Sequence, residues 1–295
     1  SLQTLFRSFS KHSGMARYMA WLKQERGLAF HNYPELWHWS VADLDQFWRT
    51  IWDYFEVESS VVPAETLTDS NMPGARWFPG TDVNFAYHAL RHRKDDETAI
   101  FYQSEVRPLA SMRWNELADD VASLGEFLRE QGVEPGDRVA AVLPNSPEAM
   151  TALLATTAIG AVFSSCSPDF GPQTILDRFQ QIEPKVLLVV DGYRFGGKDF
   201  DRRGLVHDLI SNLPSVETVV FMPYLFSDQQ LLPGENAVLW SDALRHKRTR
   251  IDDFRFEKVD FSHPLWIVYS SGTTGVPKAM VHSHGGVTLE YLKNG

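Results

Sequence analysis

The sequence is short of cysteine, of positive charge and of long apolar runs, and each shortage argues against a class of protein. Cys166 is the single cysteine in 295 residues, so no intrachain disulfide can form. That suits a reducing compartment, and a cytoplasmic protein is expected. The neighbours of Cys166, from Phe163 to Pro168, bring no cation or histidine to lower a thiol pKa, which points to an inert structural thiol. Lys and Arg total 28 against 38 Asp and Glu, a formal charge of −10. This argues against nucleic-acid partners, whose binding rests on neutralised phosphates. Small anions stay possible, because clustered backbone N–H groups with one or two cations bind phosphate locally. The longest weakly polar stretch, Thr151 to Phe163, is broken by threonines and is shorter than the ~20 residues of a helical span, so no membrane partner is expected. Ser1 to Thr4 lacks the basic start of a secretory leader.

What is present suits one large or two moderate domains. The start without Met, and the stop at Lys293-Asn294-Gly295 soon after the strongest motif, read as part of a longer protein. Residues 1–80 are rich in tryptophan, with Trp21, Trp37, Trp39, Trp48, Trp52 and Trp77. From Ala42 to Phe55, the residues Leu44, Phe47, Trp48, Ile51, Trp52 and Phe55 recur at spacings of three and four. That predicts a helix with one apolar face and Asp43 and Asp45 at its positive end. The segment Asn71 to Gly80 reads as an irregular connector.

From about residue 98 strands and helices alternate. Strands are predicted at Thr98–Tyr102, Asp137–Leu143, Ala161–Ser164, Lys185–Val190 and Thr218–Phe221. Helices are predicted between them: one with its apolar face on Leu117, Val121, Leu124, Phe127 and Leu128, one opening at Asn145-Ser146-Pro147, and others at Gln173–Ile182 and Leu205–Leu213. The fold class is therefore α/β, a mostly parallel sheet flanked by helices on both faces. Ligands of such sheets lie at the C-terminal ends of the strands.

One such end carries a dense motif. The apolar run Leu265 to Tyr269 predicts a strand, Ala279 to His282 predicts a second, and Ser270-Ser271-Gly272-Thr273-Thr274-Gly275-Val276-Pro277-Lys278 joins them. Gly272 and Gly275 allow positive φ, so that backbone N–H groups can turn towards one oxyanion. Ser270, Ser271, Thr273 and Thr274 add hydroxyl donors, Pro277 stiffens the exit and Lys278 supplies a cation. Ordinary residue frequencies give such a run by chance on the order of once in a million chains, so a mere polar linker is a poor account.

The run Tyr269 to Lys278 resembles the signature loop of the adenylate-forming enzymes: acyl-CoA synthetases, luciferases and peptide-synthetase adenylation domains. The resemblance implies ATP as substrate, with the loop on its β- and γ-phosphates and Lys278 as a catalytic cation. Tyr33 to Ser40, with the aromatic helix after it, resembles the N-terminal extension of the short-chain acyl-CoA synthetases. Met72 to Gly80 and Val281 to Gly286 resemble the acetoacetate-activating members most closely. What this implies is a ligase joining acetoacetate to CoA through an acyl-adenylate, with release of AMP and pyrophosphate and a place in lipid metabolism. Residues 1–80 would be the extension and residues 81–295 the first part of the large domain. The Mg²⁺-binding Glu, most of the acyl pocket and the small C-terminal domain would lie beyond Gly295. Alternatives are an acetyl- or propionyl-CoA synthetase and a non-catalytic ATP-binding module.

Gly192 to Lys198 has the spacing of a Walker A loop, but Asp199 stands where a Mg²⁺ ligand should be Ser or Thr, and no helical period follows. The resemblance offers another use, with Arg194 and Lys198 beside the CoA 3′-phosphate and the Phe163-Ser164 corner near the CoA nucleotide. The alternative is a solvated surface loop. His282 and His284, two apart, could share a strand face, and without a third ligand they make a poor zinc site. By the resemblance, His284 occupies the family's histidine position after the loop, a candidate contact of the acyl site.

Overall fold

The computed structural model describes residues 13–226, 232–271 and 275–294. They fall into two compact units. The first holds the residues up to Val83, together with Asp260–Ser262 and the segment from Gly285 onward; the second holds Asn84–Val259 and His263–His284.

In the first unit, three helices begin on side-chain caps. Ser13 accepts from the Ala16 amide before Gly14–Arg26, Asn32 from Glu35 before Tyr33–Ala42, and Asp43 from Gln46 before Leu44–Tyr54. The helix read from the aromatic stripe is thus present, and Asp43 is its cap. Two apolar residues of that stripe, Ile51 and Trp52, are buried, with Trp52 stacked on Phe78 at 4.6 Å between ring centroids. Phe261 lies 5.1 Å from Phe78 and completes an aromatic core. Strand β2 (Arg76–Trp77) lies inside the segment read as a connector and pairs with β1 (Leu67–Asp69), which precedes it; β3 (Asp82–Val83) follows.

The second unit opens with the short helix Phe85–Leu90, capped by Asn84, followed by the antiparallel pair β4 (Thr98–Tyr102) and β5 (Ala110–Arg113). The main sheet follows, with β6 (Arg138–Val142), β7 (Val162–Cys166) and β8 (Val186–Val190). A small hairpin, β9 (Gly192–Phe195) with β10 (Lys198–Asp201), leaves the end of β8. Then come β11 (Thr218–Met222), β12 (Ala237–Leu239), the short β13 (Val259–Asp260), β14 (Pro264–Ser270) and β15 (Lys278–Ser283). Among the described residues the sheet runs β12-β11-β8-β6-β7-β14-β15. The first six strands are mutually parallel, and β15 turns back antiparallel at the edge.

Every residue of β8 and β11 is buried, as expected for parallel strands covered on both faces. Helices Pro172–Phe179 and Arg203–Asn212 pack on one face through Ile175, Phe179, Val206 and Leu209. Helix Pro147–Ala158 covers the other face at β6 and β7, with Trp114–Glu130 packed against it. The α/β class and parallel sheet read from the sequence are those observed. Among the described residues no helix is long and apolar enough to cross a membrane.

Candidate functional site: the edge where the parallel strands end

Because six strands share one direction, their C-terminal ends line one edge, at Val142, Cys166, Val190, Met222, Leu239 and Ser270. The motif loop opens there. Ser270 and Lys278 face each other across β14 and β15 as the closing pair, so the motif is the tip of a hairpin. Ser271, Gly275, Val276 and Lys278 are exposed. Gly275 has φ +93°, a conformation that L side chains rarely adopt, and a turn that a Cβ would strain. Gly272, Thr273 and Thr274 lie outside the described residues. Lys278 has no ion-pair partner among the described residues, so its charge is available to a ligand.

The Gly192–Lys198 segment is a hairpin, not a phosphate loop opening a helix. Gly196 and Gly197, with φ +60° and +73°, form its two-residue turn, and Tyr193 stacks on Phe200 across the strands at 4.9 Å. Arg194 is exposed and bonded to Asp199, directly opposite it in register. That hydrogen bond and charge pull the Asp199 carboxyl below its ordinary range and push Arg194 up. Lys198 is exposed at the far side of the turn.

The other candidates are buried. Phe163 lines a cleft of about 610 Å³ with Leu143, Ser146, Met150 and Cys166. Ser164 is 1% exposed and donates its hydroxyl to the Ile267 carbonyl at 2.9 Å, bonding β7 to β14. Cys166 is buried and its thiol is pushed up to about 11 by burial, which agrees with an inert thiol.

The two histidines do not share a strand face. His282 is exposed on β15, whereas His284 is the first residue of helix His284–Asn294 and fully buried. The His284 Nδ1 accepts the Phe85 N–H at 3.2 Å. Burial, and then the charge of His263, push its pKa down to about 3, so it is neutral at ordinary pH.

Two acidic residues that organise this edge had no place in the sequence reading. Asp191, just after β8, accepts the Tyr224 and Leu225 amides on Oδ1 and the Phe226 amide on Oδ2, each at 2.8 Å. Glu105 accepts the Gly196 and Gly197 amides on its two oxygens, each at 2.7 Å. The Gly-Gly dipeptide is a local signal of a turn; nothing local signals a carboxylate 91 residues away.

A parallel α/β sheet with a hydroxyl- and glycine-rich hairpin at its C-terminal edge is a frame suited to a nucleotide phosphate. The chain belongs to the family of AMP-binding enzymes, whose sequence model matches residues 86–293. A second model, for the acetyl-coenzyme A synthetase N-terminus, matches residues 33–89. Individual relatives narrow the likeness. The chain is 37% identical over 291 residues to the acetoacetyl-CoA synthetase of Rattus norvegicus, covering 96% of this chain and 43% of that protein. It is 38% identical over 288 residues to the acetoacetyl-coenzyme A synthetase of Rhizobium meliloti (strain 1021), covering 97% and 44%. The solved acetoacetyl-CoA synthetase from Streptomyces lividans superposes with a TM-score of 0.89 at 44% identity, over 96% of this chain and 43% of that one. The chain thus spans less than half the length of the relatives it matches.

Proposed function

We propose that the protein carrying this chain is an ATP-dependent acid–thiol ligase that joins acetoacetate to CoA. The observation that carries the reading is the exposed hairpin tip between Ser270 and Lys278, set at the C-terminal edge of the parallel sheet. The likeness to acetoacetyl-CoA synthetases over nearly the whole chain supports the acid.

In the first step a carboxylate oxygen of acetoacetate attacks the α-phosphorus of ATP, and the bond to the pyrophosphate oxygen breaks. Acetoacetyl-adenylate and pyrophosphate result. The loop hydroxyls Ser270, Ser271, Thr273 and Thr274, the backbone at Gly272 and Gly275, and the Lys278 ammonium hold the β- and γ-phosphates, offsetting the charge that builds on the departing oxygen. In the second step the CoA thiolate attacks the acyl carbonyl, the bond to the adenylate oxygen breaks and AMP leaves. Arg194 and Lys198 on the β9–β10 hairpin are the cations proposed for the CoA phosphate, with Phe163 and Ser164 near its nucleotide. The ends of β8 and β14 are three strand spacings apart along one edge, roughly 14 Å, so the two proposed phosphate sites are separate.

Mg²⁺ enters as the MgATP complex. Among the described residues no group of three or more His, Cys, Asp and Glu is disposed to hold an ion. A cytoplasmic setting and a role in lipid metabolism belong to the same proposal. A second reading, an acetyl- or propionyl-CoA synthetase, draws on the acetyl-coenzyme A synthetase N-terminus match at residues 33–89.

Pyrophosphate release by the full-length protein, with acetoacetate, acetate and propionate in parallel, tests the assignment. Acetoacetate is expected to be preferred, and a clear preference for acetate would overturn the choice of acid. Carboxylate-dependent exchange of labelled pyrophosphate into ATP separates a ligase from a passive ATP binder. Lys278→Ala should slow that exchange at least tenfold without lowering the melting temperature, since the side chain is exposed.

A further inference from the structure

Both stems of the hairpin tip are tied to the end of one helix, by residues outside the loop motif. On the entry side Tyr269, the residue before Ser270, donates its phenol O–H to the Arg178 carbonyl at 2.9 Å. Its ring packs against the apolar core under β14, with the Arg178 guanidinium 5.7 Å above its centre. On the exit side the Gln181 amide nitrogen donates twice, to the Asp177 carbonyl at 2.6 Å and to the Pro277 carbonyl at 2.9 Å. Asp177 and Arg178 belong to the last turn of helix Pro172–Phe179, and Gln181 stands two residues past its end.

The stems differ in what else holds them. β14 has a strand on each side, β7 and β15, whereas β15 is the edge of the sheet, with Lys278 to His282 exposed. Among the described residues the exit stem is therefore held by the sheet from one side only. Pro277 has no amide hydrogen, so its carbonyl is the backbone group left to grip at that point. Gln181 takes it from outside the sheet, one residue before Lys278.

We propose that Gln181, supported by Tyr269, is a positioning residue for the triphosphate: it fixes the exit stem so that Lys278 meets the phosphates in one arrangement. The inference rests on the ATP-phosphate reading of the loop. Binding and in-line transfer both gain from donors set before the ligand arrives, and a stem free to swing forfeits that gain. Gln181 makes no contact with the nucleotide in this scheme. Its effect reaches the reaction through Pro277 and Lys278.

The test uses the full-length protein with Gln181→Met, which keeps the side-chain length and removes the donor, with Tyr269→Phe and with Lys278→Ala. Pyrophosphate exchange is measured against MgATP and against acetoacetate, and hydrogen exchange is followed in the 268–280 segment without nucleotide. Gln181→Met is expected to raise KM for MgATP roughly fivefold, the order of one net hydrogen bond, leaving KM for the acid unchanged. The segment's amides should exchange faster. Tyr269→Phe should act in the same direction, more weakly, because β14 is held on both sides. Wild-type KM for MgATP and wild-type exchange in Gln181→Met, beside a slowed Lys278→Ala, would overturn the inference and leave the loop reading intact. Wild-type turnover in Lys278→Ala would overturn both.

Discussion

Replacing Asp191 removes the clamp that ties the loop after β11 to the end of β8. The carboxylate is 1% exposed and accepts three backbone amides, at 2.8 Å each. In Asp191→Ala those amides lose their acceptor together. A buried donor left unpaired costs about 1–3 kcal/mol. The Tyr224 bond is buried while those of Leu225 and Phe226 are only part-buried and regain water, so the sum is about 3–5 kcal/mol. Asp191→Asn is milder. An oriented amide keeps one oxygen for Tyr224 and Leu225 but sets its NH₂ against the Phe226 amide, and the expected cost is about 2–3 kcal/mol.

For a unit of this size 1 kcal/mol moves the melting temperature by about 2–4 °C, so Asp191→Ala should melt about 10 °C lower and Asp191→Asn about 6 °C lower. Calorimetry and urea unfolding of the full-length protein give both values. The clamp also reaches beyond its own loop. The Tyr224 hydroxyl donates to Ser104 at 2.8 Å, and the Tyr224 ring lies 4.4 Å under the Arg107 guanidinium, on either side of the residue that holds the Gly196-Gly197 turn. Amides of that turn should therefore exchange faster in Asp191→Ala. A melting temperature within about 2 °C of the parent, with unchanged exchange at residues 196 and 197, would refute the reasoning.

His284 binds its proton poorly when folded, with a pKa of about 3 against 6.5 when unfolded, so falling pH favours the unfolded chain. Stability should be insensitive to this group above pH ~6.5 and fall by up to about 1.4 kcal/mol per pH unit between there and pH ~3; His284→Gln should flatten that slope in a pH series of melting curves. Ser164→Ala removes the bond from β7 to the Ile267 carbonyl and should cost about 1–2 kcal/mol by urea unfolding, with the CoA requirement measured alongside to read any contact with the nucleotide. Arg194→Glu should raise the CoA requirement while sparing pyrophosphate exchange, and Asp199→Asn, which releases Arg194, should lower it; no change in either returns the hairpin to ordinary surface.

Much of the second unit was legible because its strands are buried on both faces. Lys185–Val190 and Thr218–Phe221 read as strands because of their apolar runs, and the observed strands, Val186–Val190 and Thr218–Met222, differ by one residue each. The start at Ser146-Pro147 was equally plain, because Pro at the first helical position costs no hydrogen bond. The β9–β10 hairpin was missed as a pair of strands. It is four residues a side, mostly exposed, and held by Arg194–Asp199 and Tyr193–Phe200 pairs visible only once the register is known. The motif loop was found from its residue types, yet Gln181 and Glu105 were not, since each acts on backbone atoms about 90 residues away. The division of the chain was read at residue 80, whereas the first unit runs to Val83 and takes back Asp260–Ser262 and the segment from Gly285. That return rests on Phe261 and Leu289 packing into the aromatic core, a pairing no local pattern announces.

An acidic chain that handles polyanions has to leave some cations uncommitted. Along this edge two arginines, and the turn amides beside them, are engaged. Arg107 is paired with Glu148 at 2.8 Å, Arg194 with Asp199, and the two turn amides with Glu105. A ligand phosphate reaching Arg194 must displace a carboxylate, so it gains only the difference between two anions. Lys278 has no carboxylate partner among the described residues, and a phosphate there gains the whole attraction. The same comparison separates the two cations of β9–β10: Lys198, like Lys278, has no carboxylate partner among the described residues, whereas at Arg194 a phosphate must first exchange partners. The part of phosphate binding that draws on Arg194 should therefore be weaker, and less sensitive to salt, than the part that draws on Lys278.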